Sequence, residues 1–104
     1  MTYATKLVFL ALGAAITGYV GWWAYRVTHY AEWVSLISIG DPEAKVRAVV
    51  GRPVVVNSSP EPLWCSAPGM SYEYMYGTSI VASWDVVGFN KHGKVVCKQA
   101  LQSP

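Results

Sequence analysis

A chain of 104 residues has room for one small domain and a short appendage, which excludes a multi-domain machine. Apolar residues make up 53% of it and Asp, Glu, Lys and Arg only 13%, about half the ordinary share of charge, so part of the chain meets something other than water. The net charge is +2, and Lys45, Arg47, Arg52, Lys91, Lys94 and Lys98 are interleaved with Asp41, Glu43 and Asp85; no basic stripe follows a phosphate backbone, and nucleic acid is not expected as a partner.

The first element is a helix in lipid. Between Lys6 and Arg26 lies LVFLALGAAITGYVGWWAY, 19 residues without a charge. At ~1.5 Å per residue this stretch spans roughly the 30 Å hydrocarbon layer of a bilayer. The reading is a single transmembrane helix from about Leu7 to Val27, with residues 1–27 forming tail and anchor. A cleaved signal peptide competes with it, because Thr2 to Lys6 resembles a basic leader and Ala11-Leu12-Gly13 a small-residue cleavage site. The aromatics that follow favour the anchor: Trp22, Trp23 and Tyr25, with Arg26, suit a membrane–water interface. No cysteine lies near this region to carry a lipid. The cations on the two sides are nearly balanced, and the short N-terminal tail points to an N-in, C-out orientation.

Ala11, Ala14, Gly18 and Gly21 recur at spacings of three, four and three, so they stack on one helix face and form a packing stripe for another membrane helix. Bulkier Leu7, Phe9, Leu10, Leu12, Ile16, Tyr19 and in part Trp23 are assigned to lipid. The bland reading is that small residues are simply common in membrane helices.

Residues 28–40 read as a juxtamembrane helix or linker, since VTHYAEWVSLISIG has no breaker before Gly40 and Trp33, Leu36 and Ile37 fall at helical spacing. A small α+β water-exposed domain, residues 41–104, follows. Asp41-Pro42-Glu43 supplies a capping carboxylate, a first-turn proline and an acid, and Gly51-Arg52-Pro53 a stop, which predicts a helix from Pro42 to Val50. Pro53 to Val56 is β-branched, and Asn57 to Pro62 is a proline loop. Ser71 to Tyr76 alternates as a strand with Tyr72, Tyr74 and Tyr76 on one face and Glu73 and Met75 on the other. Ile80 to Phe89 is a second strand with a bend at Gly88, and Lys94 to Lys98 closes a hairpin across Asn90-Lys91-His92-Gly93. The expected architecture is one or two helices on a three-stranded antiparallel sheet.

Trp64, Tyr72, Tyr74, Tyr76 and Trp84 have two readings, a partner-recognition face or the sheet's own core beneath the helices. Cys65 and Cys97 lack the spacing of a metal site, which leaves a disulfide or two core thiols. His29 and His92 read as structural or solvated, and Asp41 and Glu43 as helix-start acids. Ser58 and Ser59 have no base nearby in sequence, and neither a phosphate loop nor a nucleophile elbow is present. No enzyme activity, cofactor, metal or small-molecule substrate is expected.

The string Ile39-Gly40-Asp41-Pro42-Glu43-Ala44-Lys45-Val46-Arg47-Ala48-Val49-Val50-Gly51-Arg52-Pro53, an aromatic strand, and then Val87-Gly88-Phe89-Asn90-Lys91-His92-Gly93-Lys94-Val95-Val96 together resemble the SmpA/OmlA (BamE-like) small-domain family over about residues 36–96. The resemblance implies two helices on a three-stranded sheet and a non-catalytic scaffold of the outer-membrane barrel-assembly machinery. The chain departs from that family in carrying a membrane helix in place of a lipoprotein cysteine. The expectation is an accessory subunit of a larger bacterial envelope complex, placed in the inner membrane with its domain in the periplasm and with integral-membrane subunits and the bilayer as partners. The alternatives are a BamE-like assembly factor and a membrane-tethered binding or regulatory module.

Overall fold

The computed structural model describes residues 2–80 and 82–102. Its first element is α1 (Tyr3–Ser35), 33 residues without a proline or a break, capped by the Thr2 hydroxyl accepting from the Thr5 N–H. At ~1.5 Å rise per residue it is about 50 Å long, most of the molecule's 63 Å length. Every residue from Tyr3 to Trp22 is exposed. The hydroxyls of Thr17 and Thr28 donate to the carbonyls of Gly13 and Ala24 at 2.8 and 2.9 Å, so neither needs a solvent partner. By length and composition α1 is able to cross a membrane.

The same helix then changes surroundings, from fully exposed to partly buried. Tyr30 and Val34 are buried with Ile37 just beyond the helix end, and Val27 and Trp33 are partly covered, so the stretch read as juxtamembrane is structurally part of the domain core. No cation stands in the last turn of α1, but Lys98 Nζ from β4 reaches its C-terminal end, donating to the Ile37 carbonyl just beyond the helix at 2.5 Å and to the Val34 carbonyl at 3.4 Å.

The connector is sewn to the end of the sheet. Gly40 N–H donates to the Val95 carbonyl at 2.7 Å, Val95 N–H to Asp41 at 2.9 Å and Glu43 N–H to Gly93 at 2.9 Å. The short helix α2 (Glu43–Val49) follows. Asp41 does not cap it. Pro42 holds the cap position without a side-chain bond, while the Asp41 carboxylate accepts from Ser38 N–H at 2.7 Å and pairs with Lys45 at 2.9 Å. Those two contacts, the Ser38 N–H first, hold its pKa below the ordinary value.

Among the described residues the sheet has four strands, not three: β1 (Val55–Ser58), β2 (Met70–Thr78), β3 (Ser83–Asn90) and β4 (Val95–Gln102), antiparallel in chain order. The added strand is the β-branched run after Pro53, which pairs Val55 with Met75 and Ser58 with Tyr72. Pro53 stays outside it, as a residue without an N–H to donate. The second predicted strand begins at Ser83 and not at Ile80, because Ser79, Ile80 and Ala82 are used in the turn; Val81 lies outside the described residues. The bend at Gly88 is a register shift between Gly88 and Phe89, where a Cβ would strike the Met70 side chain.

The two faces of this sheet are covered differently. On one, Tyr74, Tyr76, Val87, Phe89 and Val95 bury themselves with Tyr30, Val34, Ile37, Val46 and Val50 from the helical side, and Tyr72 packs at the margin. Phe89 is 4.9 Å from Tyr72 and 4.8 Å from Tyr74 between ring centroids, and Tyr30 is 5.4 Å from Tyr76. On the other face a smaller cluster of Cys65, Met75 and Val86 is flanked by Met70, Trp84, Cys97 and Leu101. The loop of residues 59–69 lies over it, held by a disulfide between Cys65 and Cys97.

Candidate membrane and partner interfaces

The small-residue stripe is open. At Gly18 and Gly21 a Cβ would meet nothing within 4 Å, and Ala11 and Ala14 are exposed. At ~100° per residue, the stripe centres about 180° around α1 from the face made by Val20, Trp23, Val27, Tyr30 and Val34. That second face is the one turned to the domain. A helix seated on the stripe therefore meets α1 on the side away from the sheet.

The aromatic anchors divide into groups. Trp22 and Tyr25 are more than half exposed. Arg26 lies 4.8 Å from the Trp22 ring centre and 5.6 Å from that of Tyr30, and its guanidinium donates to the Arg52 carbonyl at 3.4 Å. Trp23 and Tyr19, assigned to lipid by sequence, line a cleft of about 320 Å3 together with Val20, Thr78 and Ile80. The tip of the β2–β3 hairpin thus lies alongside the apolar half of α1. This juxtaposition has no sequence signal, because it depends on the angle at which β2 meets the helix.

The five aromatics weighed as a recognition face do not form one. Tyr74 and Tyr76 are 2% and 0% exposed and belong to the core under the helices, as does the partly buried Tyr72. Trp84 sits on the opposite face beneath the loop, and Trp64 alone of the five is mainly exposed. The tyrosines have a structural task. Tyr72 OH donates to Glu43 Oε2 at 2.7 Å, Tyr74 OH donates to Glu43 Oε1, and Tyr76 OH to the Gly51 carbonyl at 2.9 Å. Arg47 joins through its Nε to the Tyr74 hydroxyl at 3.1 Å and lies over the Tyr74 ring. Burial, reinforced by the Glu43 carboxylate, pushes the Tyr72 phenol up to about 12, and burial drives Tyr76 upward as well. These hydroxyls stay protonated donors, which suits a clamp between α2 and the sheet.

Glu73 is a site that carries no motif. It is fully buried, with Oε1 accepting from Cys65 N–H at 3.0 Å and Oε2 from Trp64 N–H at 3.1 Å and Asn57 Nδ2 at 3.0 Å. Its alternation opposite the tyrosines was visible; that a loop would close over it was not. Three N–H donors satisfy the carboxylate, and the two from Trp64 and Cys65 fix the loop beside the disulfide. Asp85, half-buried beside Tyr76 in the ladder, has its pKa raised by burial.

His29 Nδ1 contacts the Tyr25 carbonyl at 2.6 Å between the Tyr25 and Trp33 rings, and His92 is in the exposed β3–β4 turn. Among the described residues, no three His, Cys, Asp or Glu side chains converge as a metal site would require. Comparison with protein-family models, curated proteins and solved structures returned no match.

Proposed function

We propose that the chain is a non-catalytic, single-pass membrane-anchored subunit that seats a small domain against a larger envelope membrane complex. One observation carries this reading: α1 passes without a break from an exposed apolar half into the domain core, with its small-residue stripe on the far side of the helix from the sheet. A partner helix has a place to pack, and the domain is held at a fixed angle beside it. The Cys65–Cys97 bridge fits an oxidising compartment, in keeping with a periplasmic domain on an inner-membrane anchor.

Mild-detergent purification of the tagged chain followed by mass spectrometry tests this. A fixed, stoichiometric set of integral-membrane partners, lost on Ala14→Leu with Gly18→Leu, is the expected result. A chain that arrives alone even after cross-linking overturns it.

The second reading is a tethered binding module, with a BamE-like assembly factor as one form of it. The observation in its favour is the edge of the sheet at β1, where Val55 and Val56 are exposed and, among the described residues, no strand pairs with the outer side of β1. Such a module tolerates exchange of its helix for an unrelated anchor, whereas a subunit gripped by its stripe does not.

A further inference from the structure

We infer that the β2–β3 hairpin tip is a second membrane contact, dipping into the bilayer beside α1 and seating a lipid acyl chain in the cleft between them. The inference rests on the reading of α1 as a membrane span. Tyr19, Val20 and Trp23 belong to that span, and they share one cleft with Thr78 and Ile80. Whatever layer holds the first three also holds the last two.

The depth follows from the helix. Arg26 is the first charge after the span, and its guanidinium is tied to the Arg52 carbonyl at the edge of the domain, a position suited to headgroups. Tyr19 to Trp23 stand three to seven residues further in, about 5–10 Å along the axis. Surface-seated apolar elements bury themselves to about that depth.

The chemistry of the tip agrees. From Tyr74 to Trp84 the chain carries no charged residue, and Ile80 presents its side chain 80% exposed to whatever surrounds the tip. Two of its turn N–H groups are paired within the hairpin, Ile80 N–H donating to Thr78 Oγ1 at 3.2 Å and Ala82 N–H to the Ser79 carbonyl at 3.3 Å, which lowers the cost of placing this backbone near hydrocarbon. The other hairpin makes the contrast. The β3–β4 turn holds Lys91, His92 and Lys94 and sits at the opposite end of the sheet, beside the connector after α1. One end of the sheet is made for lipid and the other for water.

The cleft is apolar except for the Thr78 and Tyr19 hydroxyls and opens along the exposed half of α1, so the neighbour it offers room to is the acyl chain of an adjacent phospholipid.

The test uses the full chain, disulfide intact, in phosphatidylcholine–phosphatidylglycerol vesicles. Single Ile80→Cys, Leu10→Cys and His92→Cys variants, all at exposed positions, are labelled with an environment-sensitive fluorophore. Each is then quenched by nitroxide lipids labelled near the carbonyl or by aqueous iodide. The Ile80 label is expected to lose at least about half its emission to the shallow nitroxide, as a group at interfacial depth does, and little to iodide, while the His92 label shows the reverse. An Ile80 label as open to iodide as the His92 label, with the Leu10 label still shielded, overturns the inference and leaves the span standing. Iodide quenching at Leu10 overturns the span and the hairpin contact together. An Ile80 label shielded from both quenchers means that a second copy of the chain covers the tip, and this too overturns lipid as the occupant.

Discussion

The two faces of the sheet solve the same problem by different means. The helical face is covered by area: rings and branched side chains from α1, α2 and the strands interlock over it. The loop face has a few apolar side chains, and its cover, residues 59–69, holds by point attachments: one disulfide, and one carboxylate that accepts two of the loop's N–H groups. A helix brings a whole stripe of side chains to a surface. An irregular loop brings few, and must be pinned instead. The same distinction orders what substitutions do.

The largest loss is expected on the packed face. Tyr76→Ala empties a fully buried site and leaves the Gly51 carbonyl without its donor, so chemical denaturation of the domain is expected to show a loss of about 3–5 kcal/mol. Next comes the bridge. Replacing Cys65 and Cys97 together by Ser frees a connection between positions 32 apart in sequence, with an expected cost of about 2–4 kcal/mol in the same measurement. Hydrogen exchange separates the two: the serine pair raises exchange in residues 59–69 first, whereas Tyr76→Ala raises it across the sheet and the end of α1.

Glu73→Gln is a smaller version of the loop defect. The amide brings its own donors to a pocket of donors, at an expected cost of about 1–3 kcal/mol. Limited proteolysis at residues 59–69 reads it, and equal cleavage in the native and variant chains would show that the carboxylate does not hold the loop.

The smallest effect is one of pH. Asp85 keeps its proton to a higher pH in the folded chain than its ordinary 3.8, so the native state binds more protons than the unfolded state just above that value. Stability from this group falls as pH rises through that window and is level beyond it. Asp85→Asn is expected to be the more stable chain at neutral pH, with the difference closing as pH drops below 3.8. A gap that persists in acid would assign the gain to packing.

The helical face was largely legible in the sequence, because period-two tyrosines and the apolar spacing of Val46, Val49 and Val50 are local signals. The loop face was not. Cys65 and Cys97 were visible as a pair, but the burial of Glu73 depends on a loop whose path is set only by the bridge itself. Pro53 to Val56 was β-branched in plain view, yet its partner half of β2 lies beyond a loop with Pro60 and Pro62. Asp41 shows the limit of a cap rule: Ser38 N–H, exposed where the connector turns, competes for the carboxylate and wins it. The placement of the β2–β3 tip beside α1 was invisible for a more general reason, since no spacing within a strand records the angle at which a helix crosses it.

Between Gly21 and Gly40 the sequence of α1 and its exit contains neither glycine nor proline. Mechanically the helix is then an axle without a universal joint. A twist applied at Ala14 or Gly18 is delivered to Tyr30 and Val34, and through them to the whole sheet, so turning the exposed apolar half of α1 swings the β1 edge and the β3–β4 turn through the same angle. One residue inserted between Gly21 and Tyr30 would reset that angle by ~100° and carry the domain to another side of its anchor, with every contact inside the sheet intact.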